Sequence, residues 1–267
     1  MDVVAWNMQH DPKNWQLLRD GAELEADVHV LCEAPEPPKG VLAIGRWRTV
    51  GLEDELPLGR KRTDRRWSTA VAARSGPRYI TDARSARGYE QPALLPFKPS
   101  RPGSWTAARV EVDGTALTVI ALYGLMDEKS DASVHHSLSE ISPIFDHPDH
   151  GRHVLLGGDL NIVANPKPDD PTRDRHRAVL TRLEAYGLIN CVDRAERSAA
   201  DPPFDDCPCG TRPCTQHQRT FRREGSSAYQ EDYLFASRRL VEKLVACTVL
   251  PFQPSSDHTP IRAAFDL

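Results

Sequence analysis

Short apolar runs punctuate this chain, and they constrain its fold more than any other feature. They fall at residues 3–6, 28–32, 68–73, 115–122, 153–156, 233–236 and 261–265. Runs this short, bounded by turn formers, read as buried strands; an amphipathic helix needs a longer stretch and a different period. Helical patterns lie between some of them. Residues 15–24 follow Pro12, residues 130–145 stop before Pro148, and residues 175–186 end at Gly187, a helix-stop residue. Strands alternating with helices predict an α/β chain. The irregular stretches 35–66, 89–103, 165–173 and 197–229 are expected to be surface loops. No repeat or linker divides the chain, so one domain over residues 1–267 is expected, with a Cys-rich loop at about 205–218.

Composition narrows the function classes. The 267 residues are 39% hydrophobic and 27% charged, a balance suited to a globular core. Against 34 basic residues stand 38 acidic ones, so the net charge is −4 and any nucleic-acid partner must be gripped by local patches. No window approaches the roughly 20 apolar residues of a spanning helix. The N-terminus, MDVVAWNMQH, lacks the basic and apolar regions of a secretory signal. A cytoplasmic, membrane-free monomer is therefore expected. Six cysteines are too few for a disulfide scaffold at this length.

Polar side chains cluster where the strands should end. Asn7 closes VVAWN, Glu33 closes VHVLCE, and Asp159 and Asn161 follow in HVLLGGDLN. Asp232 opens DYLFAS, and Asp257 and His258 precede the last strand in SDHTPI. Strand ends on one edge of an α/β sheet converge on one crevice. Carboxylate and amide oxygens gathered there suit Mg²⁺ or Mn²⁺, which take hard oxygen ligands. A histidine among them orients substrate or stabilises charge, and pairing with Asp232 would raise its pKa. Taken singly, each of these residues also reads as an ordinary cap or turn residue. The order N, E, GDLN, DY, SDH over the whole chain is what distinguishes them.

That order resembles the endonuclease/exonuclease/phosphatase family, from AWN at 5–7 to SDHTPI at 256–261. The resemblance implies a four-layer α/β (α+β) sandwich, two mixed β-sheets packed face to face with helices outside. It also implies metal-dependent hydrolysis of a phosphoester. By the same resemblance Glu33 would be the direct metal ligand, with Asn7 in the metal's neighbourhood and Asp257 as a second carboxylate. Asp159 would position or deprotonate the attacking water, and Asn161 would hold the phosphate or that water. Asp232 would orient His258, which would face the scissile phosphate, and Tyr123 matches a phosphate-contacting position. Gln9 departs from the pattern, since several nuclease members carry an acidic residue there.

Two basic segments are candidates for gripping substrate. Residues 60–66 carry five cations in seven positions, among them Arg62, Arg65 and Arg66. The second, Arg219, Phe221 and Arg222, comes shortly before Asp232, and Phe221 or Trp67 could stack a base. Both also read as solvated charge balancing an acidic chain. Separately, Cys207, Cys209, Cys214 and His217 form C-x-C-x₄-C-x₂-H in a loop without an apolar core. Four such ligands suit a structural Zn²⁺; a disulfide or free thiols are the alternatives.

The expected function is a divalent-metal-dependent phosphodiesterase, a nuclease for DNA or RNA. The alternatives are hydrolysis of a small-molecule or head-group phosphate, and an inactive nucleic-acid-binding module. Against the last, every core position carries a competent side chain.

Overall fold

The computed structural model describes residues 1–47, 67–81, 97–126, 129–195, 204–222 and 227–267. The chain begins with β1 (Asp2–Asn7), α1 (Asn14–Asp20), β2 (Val28–Pro35), β3 (Ala43–Gly45) and β4 (Trp67–Ala73). Its middle supplies β5 (Arg78–Tyr79), β6 (Trp105–Val112), β7 (Thr115–Leu122), α2 (Ser130–Asp146) and β8 (Val154–Asp159). Then come α3 (Arg173–Ala185), β9 (Leu188–Asn190), α4 (Cys191–Arg194) and β10 (Asp232–Ser237). The short α5 (Arg238–Val241) leads to β11 (Leu244–Val249) and β12 (Ile261–Phe265).

Among these residues the strands form two sheets, ordered β11-β12-β1-β2-β4-β3 and β5-β6-β7-β8-β10-β9. Each is antiparallel except for one central parallel pair, β1 with β2 and β7 with β8. Alternation along the strands sorts side chains into layers. Val3, Ala5, Val28, Val30 and Val71 of the first sheet meet Val119, Ala121, Leu155, Leu234 and Ala236 of the second in a dry core. On the first sheet's outer face, Val4, Trp6 and Leu31 pack on Trp15 and Leu18 of α1. On the second sheet's, Ile120, Leu122, Leu156 and Phe235 pack on Val134, Leu138 and Ile141 of α2 and Val179 and Leu183 of α3. The helical residues recur at spacings of three and four, i, i+4 and i+7 on α2, so each helix offers one stripe. The result is the expected four-layer sandwich of helix, sheet, sheet and helix.

Two details differ from the sequence expectation. The first helix stops at Asp20 rather than 24, because Gly21 is extended (φ −86°, ψ 110°) and residues 22–24 form a separate 3₁₀ turn. The strands β3, β5, β6, β9 and β11 add to those expected. None of the helices in the described residues is long and apolar enough to cross a membrane.

Candidate active site

Parallel neighbours end on the same edge, and antiparallel neighbours begin there. β1 and β2 deliver Asn7 and Glu33 to that edge of the first sheet, and β12 starts from it opposite Ala5. In the second sheet β8 ends at Asp159, β10 begins directly opposite it at Asp232, and Tyr123 follows β7. The sandwich thus stacks both edges at one mouth.

Local backbone devices aim these side chains. Between Leu31 and Ala34, β2 carries one more residue than β4 does between Ala70 and Ser68, a bulge. Glu33 sits in it with φ +46°. Asn161 also holds a left-handed φ of +50°, which turns the chain back so that its own N–H donates to Asp159 Oδ1 at 2.8 Å. Its side-chain amide donates to Asp159 Oδ2 at 3.2 Å and to the Gly124 carbonyl at 2.9 Å. Behind Asp159, the Cys32 thiol accepts from its N–H and donates to Leu122, tying β2, β7 and β8 together.

The centre is a buried line of three groups. His258 Nδ1 lies 2.8 Å from Asp232 Oδ2, and Nε2 lies 3.7 Å from Asp159 Oδ2 and 3.8 Å from Asp257 Oδ1. Asn7 donates from Nδ2 to Asp159 Oδ2 at 2.9 Å. The loop carrying His258 is pinned from below. Ser256 donates its hydroxyl to the Asn7 carbonyl and accepts the His258 N–H, while the Trp6 indole donates to the His258 carbonyl. Burial alone would pull the His258 pKa down, but the carboxylates of Asp232, Asp159 and Asp257 more than offset it and raise it to about 10. The ring is therefore an imidazolium at neutral pH. Burial pushes the Asp159 carboxyl above the usual range, Asp232 and Glu231 add to this, and His258 opposes it.

Glu33 stands at the side of the line. Tyr123 donates to its Oε1 at 2.6 Å, and His10 Nε2 lies 2.5 Å from its Oε2. Burial works against the Glu33 charge, yet hydrogen bonds from His10, Tyr123 and Asn7 outweigh it and hold the carboxyl below its ordinary value. Trp67 stacks on His10 and meets Tyr123 edge-on, with centroids 5.2 and 5.0 Å apart.

The structure thus brings together Asn7, Glu33, Tyr123, Asp159, Asn161, Asp232, Asp257 and His258. It treats the basic candidates differently. Arg62, Arg65 and Arg66 lie outside the described residues. Phe221 is half-buried with its ring 4.9 Å from that of His258, and the Arg222 N–H donates to the Asp257 carbonyl. The Arg219 guanidinium pairs with Asp206 at 2.5 Å and lies 4.7 Å over the Phe204 ring, a brace within the Cys-rich segment. There Cys207, Cys209, Cys214 and His217 also come together.

Sequence reasoning missed two neighbours of the site. His10 follows Gln9, both with positive φ, in a turn with no period to mark it. Glu231 lies beside Asp232, and burial, with Asp232 and Asp257 reinforcing it against His258, raises its pKa to about 7. Only its half-buried setting beside Asp232 and His258 distinguishes Glu231 from a surface glutamate.

Solved structures share this architecture. The catalytic domain of Xenopus laevis APE2 superposes with a TM-score of 0.64 at 16% identity, covering 99% of this chain and 91% of that one. An endonuclease/exonuclease/phosphatase from Beutenbergia cavernae gives 0.58 at 17% identity over 98% of this chain and 70% of that one. The fold is that of the endonuclease/exonuclease/phosphatase proteins. A 3′ phosphatase from Neisseria, NExo, bound to product DNA hairpin gives 0.54 at 18% identity, with both chains fully covered. At the level of sequence, no family model matches and no curated protein matches significantly. Within this fold the shared strand edge of the two sheets is where the line Asp232–His258–Asp159 lies.

Proposed function

We propose that the chain is a divalent-metal-dependent phosphodiesterase whose substrate is a polynucleotide, DNA or RNA. The buried line Asp232–His258–Asp159, set at the mouth where Asn7, Glu33 and Asn161 also end, carries this reading. The DNA hairpin held by the Neisseria neighbour supports a nucleic-acid substrate, as does the Phe221 ring beside His258.

A phosphodiester repels nucleophiles because it is anionic, so the site must neutralise charge and generate a nucleophile near neutral pH. The donor set suits a hard cation. Asp159, Asp232 and Asp257 crowd around one imidazolium with Glu33 to the side, and Asp232 Oδ1 is buried with no hydrogen-bond partner among the described residues. Glu33 and Asp257 would hold Mg²⁺ or Mn²⁺, with Asn7 beside it. When bound, the cation supplies positive charge and Lewis acidity at a phosphate oxygen.

The chain's own groups do the rest. Asp159 Oδ2 accepts a proton from the attacking water, and its raised pKa suits it to that task. Asn7 and Asn161 fix the carboxylate for that transfer. His258 donates from Nε2 to a non-bridging phosphate oxygen as negative charge grows there. Asp232 holds Nδ1–H and so aims the ring. Tyr123 acts on Glu33, steadying it through the 2.6 Å hydrogen bond.

The test is hydrolysis of labelled single- and double-stranded DNA and RNA with Mg²⁺, with Mn²⁺ and with EDTA, beside His258→Ala. Cleavage that needs the metal and disappears in the variant is expected. Turnover of a generic diester with no cleavage of any polymer would reassign the site to a small phosphoester.

A further inference from the structure

The three cysteines and one histidine of the loop before β10 lie in a shape that a metal would impose. A tetrahedral zinc with Zn–S bonds of about 2.3 Å has S···S edges of about 3.8 Å, and S···N edges of about 3.6 Å for an imidazole ligand. Cys209 Sγ lies 3.8 Å from Cys214 Sγ, and Cys207 Sγ lies 3.6 Å from His217 Nδ1. The Cys214 Sγ to His217 Nδ1 edge is 3.2 Å, and all four ligand atoms fall within 4.8 Å of one another. A Cys209–Cys214 disulfide would need the sulfurs at about 2.05 Å; the cysteines are free.

The surroundings also suit bound thiolates. The buried Asn165 amide donates to Cys207 Sγ at 3.4 Å. Backbone N–H groups of Cys209 and Thr211 point to the sulfurs of Cys207 and Cys209. Such donors orient and stabilise metal-bound thiolates. Apart from these ligands, among the described residues only Phe204 and Ala228 form the segment's apolar cluster, which is separate from the core between the sheets and from the two helix-covered faces. A core this small does not order a loop without a staple.

We propose that Cys207, Cys209, Cys214 and His217 hold a structural Zn²⁺ that anchors the segment supporting Asp232 and His258. The connection is short. Three residues past His217, the Thr220 hydroxyl accepts the N–H groups of both Glu231 and Asp232 at 3.0 Å, and its carbonyl accepts the Thr259 N–H at 2.7 Å. Phe221 bridges to His258. From the other side, Asn165 accepts the Gln230 N–H, and Gln230 accepts the Gln218 N–H. The zinc cluster and the hydrolytic line therefore share one bracket, although the metal touches no substrate.

The measurement is metal content of the full chain purified without added metal, followed by cobalt exchange. One zinc per chain is expected, and Co²⁺ should give the thiolate-to-metal charge-transfer band and tetrahedral d–d bands of a three-sulfur site. Cys214→Ser should lose the ion. His217→Cys keeps four ligands, so it should retain metal and strengthen the charge-transfer band. His258→Ala should keep its zinc, which separates this ion from any cation at the carboxylate mouth. Absence of zinc together with no charge-transfer band on cobalt addition would overturn the proposal. An intact mass showing a Cys209–Cys214 disulfide in folded wild-type protein would do the same. None of these readouts depends on the chain being a phosphodiesterase.

Discussion

Asn7 and Asp159 stand 152 positions apart in the chain and on different sheets, yet the Asn7 amide donates to the Asp159 carboxylate across the mouth at 2.9 Å. The bond fixes a buried carboxylate that would otherwise keep only Asn161 as a side-chain amide donor. Asn7→Ala is expected to lower kcat/KM by about 10- to 100-fold, the range for a hydrogen bond to a charged group. The melting temperature should fall as well, because Asn7 is buried and also accepts the Gln9 N–H. Steady-state kinetics beside a thermal melt checks both halves; unchanged kinetics would remove Asn7 from the machinery.

The His258 imidazolium depends on its carboxylates. In metal-free protein its titration is expected near 10 by NMR, and in Asp232→Asn it should move down, since Asp232 is the first of the carboxylates that hold it up. Because the folded value is raised, the stability that this pairing contributes is whole below about 6.5 and disappears as pH rises through about 10. The variant should lose this dependence, and its kcat should fall by on the order of 100-fold or more. A ring that titrates near 6.5 in the wild type would refute the imidazolium role.

Gly158 in the GGDLN segment has φ +134°, and a Cβ there would meet the Leu122 carbonyl oxygen at 2.3 Å and Cys32 Sγ at 2.5 Å. Neither neighbour is a flexible tip, since one is strand backbone and the other is tied between β7 and β8. Gly158→Ala should therefore cost about 2–5 kcal/mol from backbone strain and overpacking. Chemical denaturation reads the loss directly. A midpoint within error of the wild type would show that β8 can shift away from β7.

His176 on α3 is buried and accepts the Val163 N–H on Nδ1, so it must be neutral there. Burial lowers its pKa, with Arg175 adding to the effect and Asp131 and Asp170 opposing it. The stability it contributes is whole above about 6.5 and is lost as pH falls through its lower folded-state value. Urea midpoints from about pH 7 to about pH 5 should drop more steeply for wild type than for His176→Asn. Parallel slopes would show that other groups carry the acid sensitivity.

Strands whose apolar runs close on an amide or acid were readable from the sequence, because burial on both faces leaves an unbroken hydrophobic signature. β6 was not, since Thr106, Arg109 and Glu111 interrupt its apolarity although Trp105, Ala107, Ala108 and Val110 are buried. β3, β5 and β9 are two or three residues long and show no period. β11 is an edge strand with exposed Val245, so its pattern is half solvent-facing. At the mouth, residues delivered by strand ends could be placed by topology. Arg219 could not, because charge alone does not say whether a guanidinium faces phosphate or Asp206. His10 and Glu231 owe their setting to the tertiary fold.

Asn7, Glu33 and His258 lie on or next to strands of one sheet, while Tyr123, Asp159 and Asp232 lie on or next to strands of the other. Neither sheet carries a working set of groups by itself. Recovered turnover during refolding is then a clock for sheet docking, silent while either sheet forms alone and rising only when the dry core between them closes. An early hydrogen-exchange signal from one sheet should precede it, so the mouth serves as a built-in gauge of the last cooperative step in folding.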